Sequence, residues 1–233
     1  MWRGQNEQSM ALAAVAYAKA QQRRRIGIAV SSIGPGALNM VTAAGVAHTN
    51  RLPLLLLGGD VHVGRLPDPV LQQVEHFQDP TLGVNDAFKP VVRYWDRVVT
   101  ATQLMQTLPQ AISTLLDPET CGPVFLGLPQ DVQGQSYAFP AAFFARRVHR
   151  IARPEPELRS LQELAQALRQ ARKPLIVAGG GVHYAQATDA LAHFAQTHGV
   201  PVVETIAGRA VLLQSHPMNA GPCLLYTSPS PRD

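Results

Sequence analysis

The chain contains the stretch IGIAVSSIGPGALNMVTAAGVAH at residues 26–48, and LPLLLLGGD follows at residues 52–60. An apolar run, a glycine-rich corner and an alanine-rich segment succeed one another, and a second apolar run follows them. Strands buried on both faces of a parallel sheet have such continuous apolar runs, and a helix connects them. The stretch therefore predicts a βαβ unit. Its residues 31–36 and 58–60 fall at the carboxyl ends of the strands, where such sheets bind ligands.

The composition is that of a compact globular protein with one or two domains. Hydrophobic residues make up 46% of the 233 residues, and charged residues make up 15%. No apolar run approaches the roughly 18 residues of a membrane span, and the first residues are too polar for a secretory signal. Cys121 and Cys223 provide no disulfide framework, so we expect a cytoplasmic protein without a membrane partner.

Basic residues cluster at 23–25 and 146–150, although the net charge is only +4. A nucleic-acid-binding surface also needs aromatic or groove-reading residues beside its positive charges, and neither cluster has them. We therefore interpret the clusters as a solvated helix end and a solvated linker, and we expect no nucleic-acid partner.

Periodicity and turn residues predict the other elements of the first part of the chain. Asn6 is a candidate N-cap, which places Glu7 in the first turn of a helix. The predicted elements are a helix at 5–20, a loop at 63–80, a short strand at 87–95, a helix at 102–117 and a strand at 123–128.

A second unit follows a segment without apolar periodicity. Residues 146–158 are basic and contain two prolines, which is typical of a linker. A further βαβ unit is then predicted by a helix at 161–171, a strand at 174–178, a glycine corner at 179–181, a helix at 184–198 and a strand at 200–204. We therefore expect an α/β protein with parallel sheets. Its predicted parts are a first domain at 1–145, a linker at 146–158, a partial Rossmann-like domain at 159–222 and a non-native tail at 223–233.

The corner at 34–36 is the first candidate for a dinucleotide site. The fingerprint G-x-G-x-x-G/A requires a small third residue where this chain has Asn39, and the proline of the corner lacks an N–H to cradle phosphate. Asp60 ends the next strand, which is where dinucleotide-binding proteins have the acid that binds the ribose. Residues 179–181 with Glu204 form a second incomplete match. A non-catalytic nucleotide-binding α/β module therefore stays an open alternative.

Other catalytic classes have less support in the sequence. No G-x-S-x-G nucleophile elbow occurs, and no two histidines have the spacing of zinc ligands. We therefore expect no metal-binding residue in this chain.

A set of motifs resembles the thiamine-diphosphate-dependent enzymes, and within them the acetolactate synthase-like branch. That branch has an acid–Gln pair, a Ser-Gly-Pro-Gly-Ala-x-Asn corner and an Ala-His pair before the next strand. The matching segments, which together extend the resemblance over residues 2–222, are GQNEQ at 4–8, SSIGPGALN at 31–39, AH at 47–48, GPVFLGLPQDV at 122–132 and KPLIVAGGG at 173–181. The resemblance implies a pyrimidine-binding domain followed by part of the central domain.

The resemblance also implies a site for thiamine diphosphate in the first domain. Glu7 matches the catalytic acid that holds a proton at a ring nitrogen of the aminopyrimidine. An acid in this role works best when burial moves its pKa toward the working pH, whereas a helix N-terminus favours the anion. Besides Glu7, the implied cofactor-binding residues are Ser32, Gly34, Pro35, Gly36 and Asn39.

Three segments are most similar to the subgroup of this branch that hydrolyses a cyclic trihydroxy-dione in myo-inositol breakdown. They are WRGQNEQSM at 2–10, LQQVEHF at 71–77 and NDAFKPVVRYWD at 85–96. The implied activity is hydrolytic opening of the dione ring to 5-deoxy-glucuronate, and an acetolactate synthase-like carboligase is the alternative. The candidates for contact with the substrate are Gln72, Gln73, Glu75 and His76.

The resemblance implies further parts that this sequence does not contain. In the family, another domain holds the diphosphate and Mg²⁺, and it meets the pyrimidine-binding domain of a second subunit. We therefore expect the complete enzyme to be a homo-oligomer, and we expect this chain by itself to be inactive.

Overall fold

The computed structural model of the chain describes residues 2–64, 71–74, 76 and 78–222. Two compact units are present, and the first ends at Ala152. This boundary falls inside the segment predicted as a linker, and residues 146–157 form neither helix nor strand. Among the described residues, no helix is both long enough and apolar enough to cross a bilayer. The tail predicted at 223–233 lies outside the described residues.

A parallel sheet with helices on its faces forms the first unit. Its elements are α1 (Glu7–Ala20), β1 (Gly27–Ser31), α2 (Pro35–Leu38), α3 (Val41–Asn50), β2 (Leu54–Asp60), a 3-10 helix (Val84–Val91), β3 (Tyr94–Arg97), α4 (Leu104–Leu116), β4 (Val124–Pro129), α5 (Gln130–Gln133) and a second 3-10 helix (Ala141–Phe144). The strand order is β1-β2-β4-β3, and all neighbouring strands are parallel. The predicted parallel α/β fold is confirmed. The predicted βαβ unit is confirmed as well, although two helices, α2 and α3, connect its strands.

The central strands are buried on both faces of the sheet. On one face, β2 and β4 pack against α4 through a cluster made of Leu55, Val124, Leu126, Ala111 and Leu115. On the opposite face, Phe125 of β4 stacks on Phe88 of the first 3-10 helix, with 4.1 Å between the ring centroids. Because both faces are covered, the strands need apolar side chains at consecutive positions, which explains the continuous apolar runs in the sequence.

Helix α1 begins where the sequence predicts. Asn6 has an extended backbone, and its Oδ1 accepts a hydrogen bond from the N–H of Ser9 at 2.9 Å. Such a cap contributes about 1 kcal/mol to helix stability. A Cβ on Gly27 would overlap the carbonyl oxygen of Ala14, so β1 and α1 approach more closely than any other residue would allow. This close packing fixes Glu7, the first residue of α1, relative to the corner that follows β1.

The strand predicted at 87–95 is wrong. Residues Val84–Val91 form a 3-10 helix, and the strand beside it is limited to Tyr94–Arg97. The Asp86 carboxylate accepts the N–H of Gly83 at 2.9 Å and stabilises the first turn, while the ring of Pro90 holds a φ that suits a helix. The apolar residues of this segment therefore do not indicate a strand. Phe88 is apolar because its side chain is buried beneath the helical turn.

The second unit contains a smaller parallel sheet. Its elements are α6 (Leu158–Gln170), β5 (Ile176–Ala178), α7 (Gly180–Tyr184), α8 (Thr188–His198), β6 (Val202–Glu204) and β7 (Asn219–Gly221), with the strands in the order β5-β6-β7. The helix predicted at 184–198 is confirmed over Thr188–His198 as α8, but its predicted start is wrong, because Gln186 has a positive φ of 55° and separates α7 from α8. Strand β7 was not predicted, since three residues are too few to show a period.

Candidate active site

The corner after β1 has a backbone that only glycine adopts easily. Gly34 has φ 64° and ψ −121°, and Pro35 follows as the first residue of α2. Proline is favourable at this position because its φ is already helical and its missing N–H has no helical partner. A Cβ on Gly34 would overlap the carbonyl oxygen of Gln72, so the loop containing residues 71–74 lies directly against the corner.

Four of the six predicted site residues come together around the first turn of α1. The Nδ2 of Asn39 donates a hydrogen bond to Oε2 of Glu7 at 3.1 Å, across 32 positions of sequence. A Cβ on Gly36 would lie 3.4 Å from Oε1 of Glu7 and would overlap Oγ of Ser32. Gly34 and Pro35 form the turn that carries Gly36 to this place, and they make no contact with Glu7 that the structure records.

The pKa of Glu7 lies below its ordinary value. The main cause is the hydrogen bond from Asn39, and a backbone hydrogen bond from Glu7 itself adds to it. Burial opposes these effects only weakly, because the carboxylate stays accessible to solvent. The anion-favouring environment of a helix N-terminus therefore prevails in this structure, and the upward pKa shift of a buried catalytic acid is not present.

The residues at this corner fit a flat ring placed beside a carboxylate. Gly36 has no side chain, and Oγ of Ser32 occupies the place where a Cβ would lie, so only glycine lets the corner approach Oε1 of Glu7 this closely. Glu7 is only partly buried and can be reached by a ligand. Asn39 donates its hydrogen bond to Oε2 of Glu7, so Oε1 is left for a further partner.

Both acids of the alternative dinucleotide sites already have partners within the fold. Oδ1 of Asp60 accepts a hydrogen bond from the N–H of Val61 at 2.8 Å. Its Oδ2 forms an ion pair with Nε of Arg97 at 2.7 Å. Glu204 accepts the N–H groups of Ala210 and Leu212, at 3.1 and 3.4 Å. Both oxygens of each carboxylate are already engaged within the fold, so the structure favours a structural role for both.

Three of the four candidates for substrate contact, Gln72, Gln73 and His76, are described and lie in the loop beside the corner. Gln72 has a positive φ of 65°, and its carbonyl oxygen faces Gly34. Among the described residues, Oε1 of Gln73 is buried without a hydrogen-bond partner. Nδ1 of His76 accepts the N–H of Asp79 at 2.9 Å. Glu75 lies outside the described residues.

No pattern in the sequence indicates the ion pair between Asp60 and Arg97. These residues end β2 and β3, and β4 lies between those two strands. Arg97 reaches across β4 at Gly127, where a Cβ would lie 3.1 Å from Oδ2 of Asp60. The strand order creates this contact, and strand order is not visible in a local pattern.

No three His, Cys, Asp or Glu side chains of the described residues lie close enough together to hold a metal ion.

Comparison with known proteins identifies the family to which these domains belong. Residues 2–81 match the family described as "Thiamine pyrophosphate enzyme, N-terminal TPP binding domain". Residues 161–232 match the family described as "Thiamine pyrophosphate enzyme, central domain", a match that extends into the predicted tail. The chain belongs to the thiamine pyrophosphate enzymes. The resemblance stated from the motifs is thereby confirmed, and the corner at 34–36 lies within the matched TPP binding domain.

Similar sequences within the thiamine pyrophosphate enzymes share one name. The chain is 49% identical over 221 residues to the 3D-(3,5/4)-trihydroxycyclohexane-1,2-dione hydrolase of Geobacillus thermodenitrificans. It is 48% and 46% identical, over the same length, to the hydrolases of that name from Clostridium perfringens and Bacillus cereus. Each alignment covers 95% of this chain but only 34 to 35% of the relative. The chain therefore spans about a third of the length of these relatives.

Proposed function

We propose that the chain is the pyrimidine-binding and central part of a thiamine-diphosphate-dependent hydrolase that cleaves a carbon–carbon bond. The proposed reaction is the opening of 3D-(3,5/4)-trihydroxycyclohexane-1,2-dione to 5-deoxy-glucuronate in myo-inositol breakdown. The observation that carries the proposal is the cluster of Glu7, Asn39 and Gly36, which presents a partly exposed carboxylate at the glycine corner. Similarity to hydrolases of the dione supports the choice of substrate.

The residues of the corner have separate roles in this proposal. Thiamine diphosphate, when bound, supplies the carbanion chemistry that the side chains lack. Glu7 holds and exchanges a proton at a ring nitrogen of the aminopyrimidine, while Asn39 keeps the carboxylate in position. The surface that bounds the cofactor is formed by Ser32, Gly34, Pro35 and Gly36. A ring covering Glu7 would remove water from it and raise its pKa toward neutrality.

The proposal also includes components beyond the described residues. The diphosphate and Mg²⁺ would be held by a domain outside this chain, which spans about a third of the length of its relatives. That domain would belong to a second copy, so the working enzyme would be a homo-oligomer, and its small polar substrate suggests a cytoplasmic location. This chain alone would then be inactive.

A chimera tests the proposed function. Residues 2–222 would replace the matching segment of the Geobacillus hydrolase, and consumption of the cyclic dione would be measured with added thiamine diphosphate and Mg²⁺. We expect activity in the chimera and a loss of at least about 100-fold in Glu7→Gln, because a positioned general acid–base contributes about 10²–10⁴-fold. Glu163→Gln, at an exposed carboxylate, is the matched control and should keep full activity.

Two results would contradict the proposal. A Glu7→Gln chimera as active as its parent would show that Glu7 is not the catalytic acid. A folded chimera that consumes pyruvate but not the dione would replace the hydrolase with an acetolactate synthase-like carboligase. Thermal melting of each variant separates these outcomes from a failure to fold.

A further inference from the structure

A cavity of about 340 Å³ opens at the carboxyl ends of β2 and β3, outside the Glu7 cluster. This volume lies at the lower end of the roughly 300–1,000 Å³ of small-molecule sites, so it suits a compact ligand. The polar and aromatic side chains that line it include Asp60, His76, Asp86, Lys89, Trp95 and Arg97. The motifs make His76 a candidate for contact with the substrate, but neither they nor the proposed mechanism assign a role to the other five side chains.

The charges in this cavity are balanced in pairs. Arg97 pairs with Asp60 at 2.7 Å, and Lys89 pairs with Asp86 at 2.9 Å. A charged ligand would gain little net attraction there, because each cation of the cavity lies beside a carboxylate. The cavity is therefore suited to a neutral ligand, and pyruvate or a phosphate ester would be disfavoured.

Hydrogen-bond donors remain available in the cavity. Lys89 has three N–H donors and uses one of them on Asp86, while its ammonium lies 4.4 Å from the ring centroid of Trp95. Arg97 has five N–H donors, and the recorded hydrogen bonds to Asp60 and Val61 use two. Neutral His76 accepts with Nδ1 and so carries its proton on Nε2. Such a set favours a ligand with several oxygen atoms.

The cavity adjoins the corner that we assign to the cofactor. Val74 lines the cavity, and its Cγ2 would lie 3.5 Å from a Cβ on Gly34. We propose that this cavity binds the hydroxyl-bearing side of a neutral cyclic polyhydroxy substrate, with Lys89 as a hydrogen-bond donor to the substrate. The choice of ligand rests on the proposed function, whereas the cavity and its charge balance do not.

The two tryptophans of the chain make a direct test possible. Trp95 lines the cavity, whereas the side chain of Trp2 is 98% exposed and serves as an internal control. The full chain would be labelled with 5-fluorotryptophan and titrated with myo-inositol, a neutral cyclic polyol without a dione, while ¹⁹F NMR follows both signals. We expect a saturable shift of the Trp95 signal, no shift of the Trp2 signal, and no saturable response of either signal to pyruvate.

Lys89→Met removes the proposed donor, and Lys19→Met, in the last turn of α1, is the matched control. We expect Lys89→Met to weaken myo-inositol binding about tenfold, the effect of losing one hydrogen bond from a charged group, and Lys19→Met to have no effect. The ¹⁹F signal dispersion shows whether each variant is folded. An unchanged affinity in folded Lys89→Met would overturn the role of Lys89.

The cavity proposal and the proposed function fail in different ways. If the Trp95 signal shows no saturable shift, the cavity holds only water. That result would overturn the cavity proposal even if the chimera opens the dione. A saturable response to pyruvate equal to that for myo-inositol would also overturn it. A selective response of Trp95 in a chimera that does not consume the dione would instead contradict the proposed function.

Discussion

The hydrogen bond from Asn39 to Glu7 sets the acidity of the proposed catalytic acid. Asn39→Ala removes the donor that contributes most to the lowered pKa, so the pKa of Glu7 should rise toward its ordinary value. A ¹³C NMR titration of the glutamate side-chain carboxyls measures this shift. Gln170→Ala removes an amide from an exposed position and should leave the titration unchanged. An unaltered midpoint for Glu7 in Asn39→Ala would mean that the hydrogen bond does not persist in solution.

The same bond gives a small pH dependence of stability. The folded-state pKa of Glu7 is lower than the unfolded one, so the ionised carboxylate favours folding above the unfolded value. This contribution is lost as the pH falls through the folded-state value.

At this scale the sequence predicted the residues but not their contact. The motif placed Glu7 and Asn39 in one site, whereas the 32 positions between them hide the hydrogen bond from any local pattern.

The ion pair between Asp60 and Arg97 ties together two strands that are not neighbours in the sheet. Arg97→Met should lower the free energy of unfolding of the first domain by about 3 kcal/mol, because it leaves the buried Asp60 carboxylate without its cationic partner. Urea unfolding followed by Trp95 fluorescence measures the change. Arg25→Met, at an exposed site in the same domain, should change it by less than about 0.5 kcal/mol. Equal effects of the two substitutions would contradict this role of the ion pair.

Among the elements, those with a strong physical signal were predictable and those set by tertiary contacts were not. Strands β2 and β4 have continuous apolar runs because both faces of the sheet are covered there, whereas the equally apolar edge strand β1 leaves Ile28 and Val30 exposed on one face. The 3-10 helix at Val84–Val91 was mistaken for a strand, since short apolar segments have no distinctive period and its stability comes from Phe88 stacking on Phe125. The break between α7 and α8 depends on the positive φ of Gln186, which the residue type does not predict.

At the scale of the whole molecule, the segment between the two units should be the first site of proteolysis. Residues 146–150 are exposed and lie outside helices and strands, and three of them are arginines. Limited trypsin digestion should therefore cut the described residues first between 146 and 153, and mass spectrometry identifies the fragments. Changing Arg146, Arg147 and Arg150 to Gln should slow this cut. A first cut at 23–25 would contradict the assignment of the linker.

The strand order of the first domain has a consequence for how the chain assembles. Strands β2 and β3 both pair with β4, which is made after them. A growing chain can join β1 to β2 early, but β3 waits for residues 124–129 before it enters the sheet. Pairing over such sequence distances is slow, and it leaves apolar strands exposed during the delay. Because the central strand β4 is the last of the four to be made, this domain is vulnerable to aggregation during its synthesis. The vulnerability ends only when β4 inserts into the sheet.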